Sequence, residues 1–328
     1  MGDVIIKLQK VTKQFGKQKV LHNISLDIHA GDILGIIGAS GSGKTTLLNM
    51  IIGFLAPTKG IVDFRSPAIS KLDEDNVAFR SIVENQRDVQ RMFGFASQEP
   101  SFYPELSVEE NLDLFGTLQD LSKDAKQTNT LILLKLMGLF EYRKKRADNL
   151  SGGMQKRLDL ACAMVHDPRV LILDEPTADL DPHLRQQMWK LIQKINSKGT
   201  TVILSSHFLD ELEDFCDNIA ILHKGAFIHE GTPAELKRLI SSHEEIHIQT
   251  LKGNYGALLK AFQPYKKYNI TGSENKEHEV TIFSSNPHIV IERLLKILEK
   301  QNDVLIDLHV TRPTLNEVFE RVIVEEKT

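Results

Sequence analysis

Apolar and polar positions in the first part of the chain alternate between short β-branched runs and helical patterns. The most apolar runs are Ile33–Ile37, Val170–Leu173 and Thr201–Leu204, which lack the alternation of a half-exposed strand. Such runs are typical of strands that are covered on both faces of a parallel sheet. Polar residues follow each run, and ligands bind at the carboxyl ends of such strands. The pattern predicts an α/β domain over residues 1–240.

Two further stretches interrupt this rhythm. Between residues 99 and 165 the pattern is mostly helical, with periodic segments at Val108–Leu118 and Leu131–Phe140. These segments predict a helical subdomain that is inserted into the α/β core. The polar stretch Ser66–Arg91 has weak periodicity and many charges, so we expect an exposed insertion to which the sequence assigns no role.

From residue 245 onward the pattern changes to the order βαββαβ, the split arrangement of ferredoxin-like α+β domains. We expect a second domain over residues 245–328, joined by a linker near Ser241–Glu245, and no catalysis in it because it holds no phosphate loop or ligand cluster. A closing helix at Leu315–Ile323 carries an apolar stripe that packs within the chain or steadies a dimer. The other predicted elements are strand Ile246–Leu251, helix Tyr255–Phe262, strands Lys267–Thr271 and Glu279–Phe283, helix His288–Lys300 and strand Val304–Val310.

The composition is that of a globular chain with a hydrophobic core. Hydrophobic residues make up 41% and charged residues 26% of the 328 residues, and the net charge of −4 gives no general attraction to nucleic acid or anionic lipid. No apolar run approaches the roughly 18 residues of a spanning helix, and the amino terminus lacks a leader pattern. We expect a cytoplasmic chain whose two cysteines, Cys162 and Cys216, are buried free thiols.

The first chemical motif is GASGSGKTT, which lies between the run Ile33–Ile37 and a helical pattern. It fits G-x-x-x-x-G-K-[ST], a loop whose glycines let backbone amides converge on phosphate oxygens while the next helix aims its positive end at them. Lys44 would neutralise the β and γ phosphates, and Thr45 would ligate Mg²⁺. An ordinary glycine turn is the alternative, which the strand, loop and helix context disfavours. The expected nucleotide-binding residues are Gly38, Ala39, Ser40, Gly41, Ser42, Gly43, Lys44, Thr45 and Thr46.

The second motif is VLILDEP, Val170–Pro176, a predicted strand that ends in two acids. Because successive residues of a strand face opposite sides, Asp174 and Glu175 can take separate roles. Asp174 can hold Mg²⁺, and Glu175 can polarise a water for in-line attack on the γ phosphate. Two exposed acids that open a turn are the alternative.

The third motif is LSGGMQKRL, Leu150–Leu158, which opens a helical pattern with Ser151 as its expected N-cap. Gly152 and Gly153 follow at once, although a glycine inside a helix costs up to about 1 kcal/mol relative to alanine. Close approach of the backbone to an anion would justify both glycines. Since the phosphate loop already has a helix terminus of its own, this second anion site suggests a nucleotide held between two molecules.

In this order the motifs make residues 1 to about 235 resemble the ATP-binding subunits of ABC transporters. The resemblance implies a P-loop ATPase fold with a β-rich edge, and ATP and Mg²⁺ as ligands. It implies that Gln98 senses Mg²⁺ and the attacking water, that Asp181 communicates across a dimer, and that His207 contacts the γ phosphate. It places Phe15 on the adenine, whereas alone Phe15 would be a core aromatic and His207 a capping or surface histidine.

The motifs and the resemblance together give three groups of site residues. The expected catalytic residues are Lys44, Gln98, Glu175 and His207. The expected Mg²⁺ ligands are Thr45, Gln98 and Asp174. Outside the phosphate loop, the expected nucleotide contacts are Phe15, Ser151, Gly152, Gly153 and Asp181.

The segment RPTLNEVFERV, Arg312–Val322, is similar to the closing motif of type-2 exporters for drugs, lipids or polysaccharides. The resemblance implies a subunit that dimerises around two ATP molecules, with itself or with a paired ATP-binding subunit. That dimer would drive export through separate integral membrane subunits on the inner face of the cell membrane. The alternative is a soluble ABC-type ATPase or nucleotide switch that acts on DNA or the ribosome. Such relatives usually carry two cassettes or a long coiled-coil insertion, neither of which is present, so no nucleic acid partner is expected.

Overall fold

A computed structural model of the chain describes residues 2–65, 79–240, 244–253, 255–256, 258, 271–275, 279–284 and 286–311. The chain divides into two compact units, Met1–Thr232 and Pro233–Thr328. The hydrophobic pattern placed a linker at Ser241–Glu245, whereas the helix Pro233–Ile240 already belongs to the second unit and a strand begins at Glu244. The second unit therefore starts earlier than the predicted linker.

The first unit alternates strands and helices, as its apolar pattern predicted. In chain order its elements are β1 (Val4–Phe15), β2 (Gln18–His29), β3 (Ile33–Ile37), α1 (Lys44–Ile51), β4 (Lys59–Arg65), β5 (Phe79–Ser81), α2 (Gln86–Met92), β6 (Phe93–Ala96), α3 (Val108–Leu118), α4 (Lys123–Leu136), α5 (Gly152–Met164), β7 (Val170–Asp174), α6 (Pro182–Asn196), β8 (Thr201–Ser206), α7 (Leu209–Phe215), β9 (Asn218–His223) and β10 (Ala226–Gly231). Two 3₁₀ turns, Phe140–Tyr142 and Ala147–Asn149, lie between α4 and α5.

A six-stranded sheet forms the centre of this unit, in the order β10–β9–β3–β8–β7–β6. The strands from β9 to β6 pair in parallel, and β10 joins β9 antiparallel. Every residue of β3, β7 and β8 is buried, which confirms that the three apolar runs are central strands. The pairs Ile37–Ser206 and Asp174–Ser205 bring the carboxyl ends of these strands to one edge of the sheet.

An antiparallel sheet in the order β2–β1–β4–β5 forms the expected β-rich edge. Its inward side chains include Leu8, Leu21 and Phe64, which share one hydrophobic core with Leu47 of α1 and Ile203 of β8. The two sheets are thus joined by a common core, and α1 is anchored in it directly after the phosphate loop.

The prediction of an exposed insertion at Ser66–Arg91 is wrong for its second half. Residues 66–78 lie outside the described residues, but β5 pairs with β4, and α2 follows it. Ile82 and Val89 are buried. These elements contain only three and seven residues, too few to show a period among charged neighbours.

The helical segment between β6 and β7 contains α3, α4 and α5, and α3 confirms the predicted helix over the same residues. The prediction of a helix at Leu131–Phe140 is wrong at both ends, because α4 spans Lys123–Leu136 and Phe140 lies in a 3₁₀ turn. The Ser122 hydroxyl caps α4 by accepting a hydrogen bond from the N–H of Ala125 at 3.2 Å. The polar first turns therefore belong to the helix although they show no apolar period.

The second unit contains α8 (Pro233–Ile240), β11 (Glu244–Thr250), β12 (Thr271–Asn275), β13 (Glu279–Ser284), α9 (Pro287–Gln301) and β14 (Leu305–Thr311). Its four strands form an antiparallel sheet in the order β12–β13–β11–β14. Ile246, Ile282 and Leu294 lie in a hydrophobic core that belongs to this unit alone.

Most predicted elements of the second unit are present with ends shifted by one or two residues. Tyr255, Gly256 and Leu258 are helical, within the predicted helix Tyr255–Phe262. The second strand begins at Thr271, where the predicted strand Lys267–Thr271 was expected to end. Residues 267–270 and the predicted closing helix, 315–323, lie outside the described residues.

Cys162 and Cys216 are buried free thiols, as predicted. Burial raises the pKa of both thiols well above the ordinary value. Within the described ranges, no helix combines the length and apolar character needed to span a bilayer.

Candidate active site

The loop between β3 and α1 depends on glycines at two positions. A Cβ atom on Gly38 would lie 2.4 Å from both the Leu222 carbonyl oxygen and the Ser42 Oγ atom, so no side chain fits there. Gly43 precedes α1 with a φ of +107°, a left-handed conformation that side chains rarely adopt. The Ser42 hydroxyl is buried and has no hydrogen-bond partner among the described residues. A buried polar atom of this kind fits a loop that receives oxygen atoms of a ligand.

Lys44 opens α1, and its side chain is buried. Its Nζ atom donates to the Gly38 carbonyl oxygen at 2.9 Å and lies 3.5 Å from the Glu175 Oε1 atom. The lysine therefore joins the phosphate loop to the acid that follows β7. Thr45 and Ala39 are exposed, and Thr46 is half-buried.

The two acids at the end of β7 occupy different environments. Asp174 is buried and accepts a hydrogen bond from the Ser205 hydroxyl at 2.5 Å. Glu175 has a φ of +50°, which turns the chain out of the strand, and its N–H donates to the Ser205 hydroxyl at 3.0 Å. A non-glycine residue in this region of φ is uncommon and often marks a functional site.

His207 follows the end of β8 and faces the same carboxylate. Its Nδ1 atom lies 2.8 Å from Glu175 Oε2. Because an ionised carboxylate only accepts hydrogen bonds, a contact with that form of Glu175 places the imidazole proton on Nδ1. Glu175 thus has one oxygen near Lys44 and the other near His207.

Gln98 is exposed, two residues beyond β6, on a loop that two side chains of α5 hold in place. Lys156 donates from Nζ to the Gln98 carbonyl oxygen at 2.7 Å. Asp159 accepts from both the N–H and the hydroxyl of Ser101, each at 2.7 Å. Burial raises the pKa of the Asp159 carboxyl, while the bonds from Ser101 and the charge of Lys156 oppose that shift. Gln98 also lines a groove of about 450 Å³ together with Gly152.

The two glycines at the start of α5 meet different surroundings. Ser151 occupies the predicted N-cap position, but its hydroxyl makes no capping hydrogen bond. A Cβ atom on Gly152 would have open space around it, whereas one on Gly153 would lie 2.9 Å from Leu184. Gly153 is therefore explained by packing inside the chain. Gly152 and the Ser151 hydroxyl are left accessible to another molecule.

Two residues that the resemblance assigned to the nucleotide site have local contacts. Asp181 caps α6 by accepting from the N–H groups of His183 and Leu184, each at 3.0 Å. Phe15 is 47% exposed, and the Lys13 Nζ atom lies 5.0 Å from the centre of its ring. The ring is accessible enough to stack on a flat ligand.

The structure brings Lys44, Asp174, Glu175 and His207 together at one edge of the parallel sheet. Among the described residues, no hydrogen bond joins Ser151–Gly153 to the phosphate loop. Sequence reasoning did not single out Ser205, which contacts both acids. Its signal was a serine at the end of an otherwise apolar strand, but the pairing of β8 with β7 was needed to give it a meaning.

Comparisons with known proteins match an ABC transporter family model and several ATP-binding proteins. A family model described as ABC transporter matches residues 21–178, a range that includes the phosphate loop, the start of α5 and β7. The chain is 32% identical over 269 residues to the Nod factor export ATP-binding protein I of Bradyrhizobium diazoefficiens, covering 82% of this chain and 83% of that protein. It is 28% identical over 315 residues to the linearmycin resistance ATP-binding protein LnrL of Bacillus subtilis, covering 96% and 97% of the two chains.

Among solved structures, the chain is similar to a dimeric post-hydrolysis state of the ATP-binding cassette MJ0796 bound to ADP and Pi. The TM-score is 0.60 at 28% sequence identity, and the match covers 70% of this chain and 99% of that one. Nearly the whole of that cassette therefore corresponds to about 70% of this chain.

Proposed function

This chain belongs to the ABC transporter family as an ATP-binding subunit that hydrolyses ATP, and we propose that it powers export through separate membrane-spanning subunits. Two observations support export. One relative of similar length is a Nod factor export ATP-binding protein, and another is a linearmycin resistance ATP-binding protein. The cargo would be selected by the membrane subunits, and this chain would lie against the inner face of the membrane through them.

The phosphates of ATP would lie in the loop Gly38–Gly43. The close approach at Gly38 fits a loop that wraps phosphate oxygens, and so does the buried Ser42 hydroxyl, which has no partner in the described part of the chain. Lys44 is held at the base of this loop and would neutralise the β and γ phosphates. Phe15 would stack on the adenine.

Glu175 would act as the general base. An attacking water would lose its proton to this carboxylate as it adds to the γ phosphorus, in line with the departing ADP oxygen. His207 holds Glu175 Oε2 through its Nδ1–H, so that its Nε2 side can contact the γ phosphate. The Lys44 Nζ atom, 3.5 Å from Glu175 Oε1, helps to hold the carboxylate at the mouth of the phosphate loop.

The residues at this edge also fit Mg²⁺. Asp174, the Thr45 hydroxyl and the Gln98 amide oxygen are the oxygen ligands that Mg²⁺ accepts, and such ions are usually held by one or two protein groups plus phosphate oxygens. When bound, Mg²⁺ would neutralise charge that develops on the β and γ phosphates. The Ser205 hydroxyl fixes the rotamer of Asp174 for that task.

Two copies of the chain, or one copy and a paired subunit, would close around two ATP molecules. Ser151 and Gly152 are accessible at the amino terminus of α5, where backbone N–H groups can face the γ phosphate of the partner. The likeness to a dimeric cassette supports this arrangement. Asp181 would lie near the dimer interface at the start of α6, where its capping role sets the path of the loop from Glu175.

The second unit would be ferredoxin-like. Its sheet runs in the order second, third, first and fourth strand along the chain, with all pairs antiparallel, as the split βαβ arrangement requires. We assign it no catalysis and propose that it steadies the dimer or tunes its cycle.

The observation that carries the proposal is the Glu175 carboxylate between Lys44 and His207 at the mouth of a phosphate loop. The test is purification of the tagged full-length chain from membranes. We expect it to copurify with an integral membrane protein and to hydrolyse ATP, whereas Lys44→Ala keeps the membrane partner and loses hydrolysis. Recovery with ribosomes or DNA and without a membrane protein would contradict the proposal.

A further inference from the structure

The carboxylate of Glu211, on α7, joins two segments that leave the active site in different directions. Its Oε2 atom accepts hydrogen bonds from the Thr177 hydroxyl at 2.9 Å and from the Trp189 indole N–H at 2.8 Å. Thr177 lies two residues after Glu175, and Trp189 lies on α6. Thr177 and Trp189 are buried, so both donors depend on this acceptor.

Arg185, also on α6, extends this connection to His207. Its Nε atom donates to the Leu180 carbonyl oxygen at 2.8 Å, and its Nη1 atom lies 3.8 Å from Glu211 Oε1. The guanidinium carbon lies 3.9 Å from the centre of the Phe208 ring. That ring in turn lies 4.0 Å from the imidazole of His207.

These contacts begin where the backbone pairing of the sheet ends. The last pair between β7 and β8 is Asp174 with Ser205, and beyond it the chain turns out of the sheet at Glu175. The segment that follows Glu175 is held through Thr177 and Leu180, and the segment that follows His207 is held through Phe208 and Glu211. Beyond the ends of the strands, side chains of α6 and α7 therefore hold these two segments in place.

We propose that Glu211 and Arg185 are positioning residues that hold His207 and the loop after Glu175 in one arrangement for ATP hydrolysis. This inference rests on the roles proposed for Glu175 and His207. Among the described residues, no hydrogen bond or ion pair joins either positioning residue to Gly38–Thr46, so the phosphate loop should bind ATP without them. Their loss should lower kcat and leave the KM for ATP nearly unchanged.

The experiment compares two substitutions at Thr177 in the full-length chain. Thr177→Val keeps the shape of the side chain and removes only the donor to Glu211, whereas Thr177→Ser keeps the hydroxyl. Thr177→Val should shift the catalytic groups by a fraction of an ångström. We therefore expect kcat to fall about tenfold, with KM within about twofold of the wild type. Thr177→Ser should restore most of the rate. Asp214→Asn, an exposed acid on the same α7, is the matched control and should behave as the wild type.

A second pair of variants tests the acceptor itself. Glu211→Gln keeps an oxygen that can accept from both Thr177 and Trp189, so most of kcat should remain, whereas Glu211→Ala should lose about tenfold. Trp189 is the single tryptophan of the chain, so its fluorescence reports on this contact directly. Its emission should be unchanged in Thr177→Val, which shows that α6 and α7 remain packed while the rate falls.

Several outcomes would overturn the inference. They are an unchanged kcat in Thr177→Val and Glu211→Ala, a loss that Thr177→Ser does not restore, or a rise in KM as large as the fall in kcat. The absence of a membrane partner would contradict the proposed export function and leave this kinetic comparison intact. Near-normal turnover in Glu175→Gln would contradict the proposed base rather than the positioning residues.

Discussion

Each oxygen of the Glu175 carboxylate contacts a different side chain, and these two contacts fix the position of the proposed general base. Oε1 is near the Lys44 ammonium and Oε2 accepts from His207 Nδ1. A carboxylate that is held from both sides can take a proton from a water without first changing its rotamer.

The first prediction concerns this residue. Glu175→Gln keeps the size and the hydrogen-bonding oxygen but removes the base, so turnover should fall by about a hundredfold or more while ATP still binds. The ATP-bound dimer should then persist, and size-exclusion chromatography with ATP and Mg²⁺ should detect it. Near-normal hydrolysis by this variant would remove Glu175 from the catalytic role.

At this scale the sequence predicted the residues that belong to motifs and missed those that join them. Lys44, Asp174 and Glu175 could be predicted because each belongs to a motif of neighbouring residues along the chain. Ser205 and Glu211 contact residues about thirty positions away, one across paired strands and the other from a helix to a loop, as the bonds to Asp174 and Thr177 show. One sequence carries no signal for such pairings until the order of strands in the sheet is known.

Among the elements, the start of α5 separates two uses of glycine that look alike in the sequence. Gly153 avoids a clash with Leu184, so its lack of a side chain serves the packing of this chain. Gly152 has open space where a side chain would be, so none of the residues that the structure describes requires glycine there. Glycine disfavours a helix, and its presence at position 152 is explained if another molecule approaches this backbone closely.

The second prediction follows from that contrast. Gly152→Asp places a negative group where the γ phosphate of the partner subunit should lie, so hydrolysis should fall by about a hundredfold while nucleotide still binds to the phosphate loop. ATP affinity and turnover of the purified chain check this. Gly152→Ala is the matched control, because its Cβ atom meets no neighbour in the fold and the chain should remain as stable as the wild type.

A loss of ATP affinity in Gly152→Asp as complete as that in Lys44→Ala would contradict the composite site. Both motifs would then serve one pocket within a single chain.

Helices and strands were predicted most accurately where burial makes most of their residues apolar. β3, β7 and β8 are buried throughout and were found almost residue for residue. α4 was placed too late, because the cap at Ser122 and not an apolar period fixes its start. β5 and α2 were missed because each is short and carries charged residues.

On the scale of the whole molecule, each unit has a hydrophobic core of its own. The core of the first unit includes residues from both sheets and from α1, and that of the second is built on β11, β13 and α9. The residues proposed to bind and hydrolyse ATP all lie in Met1–Thr232. The solved cassette that matches this chain covers a similar share of it.

The last prediction concerns a chain that ends at Thr232. Because the first unit keeps its core and its entire candidate site, it should fold and bind ATP with an affinity within about threefold of the full chain, a difference of less than about 1 kcal/mol. If the second unit steadies the dimer, ATP-dependent dimerisation of the shortened chain should weaken or its turnover should change. Nucleotide titration and sedimentation of both chains, each carrying Glu175→Gln to hold the dimer, separate these effects. Unchanged dimerisation, together with unchanged turnover of the two chains without that substitution, would reject a regulatory role. Lost ATP affinity would show that the ATPase unit needs residues beyond Thr232.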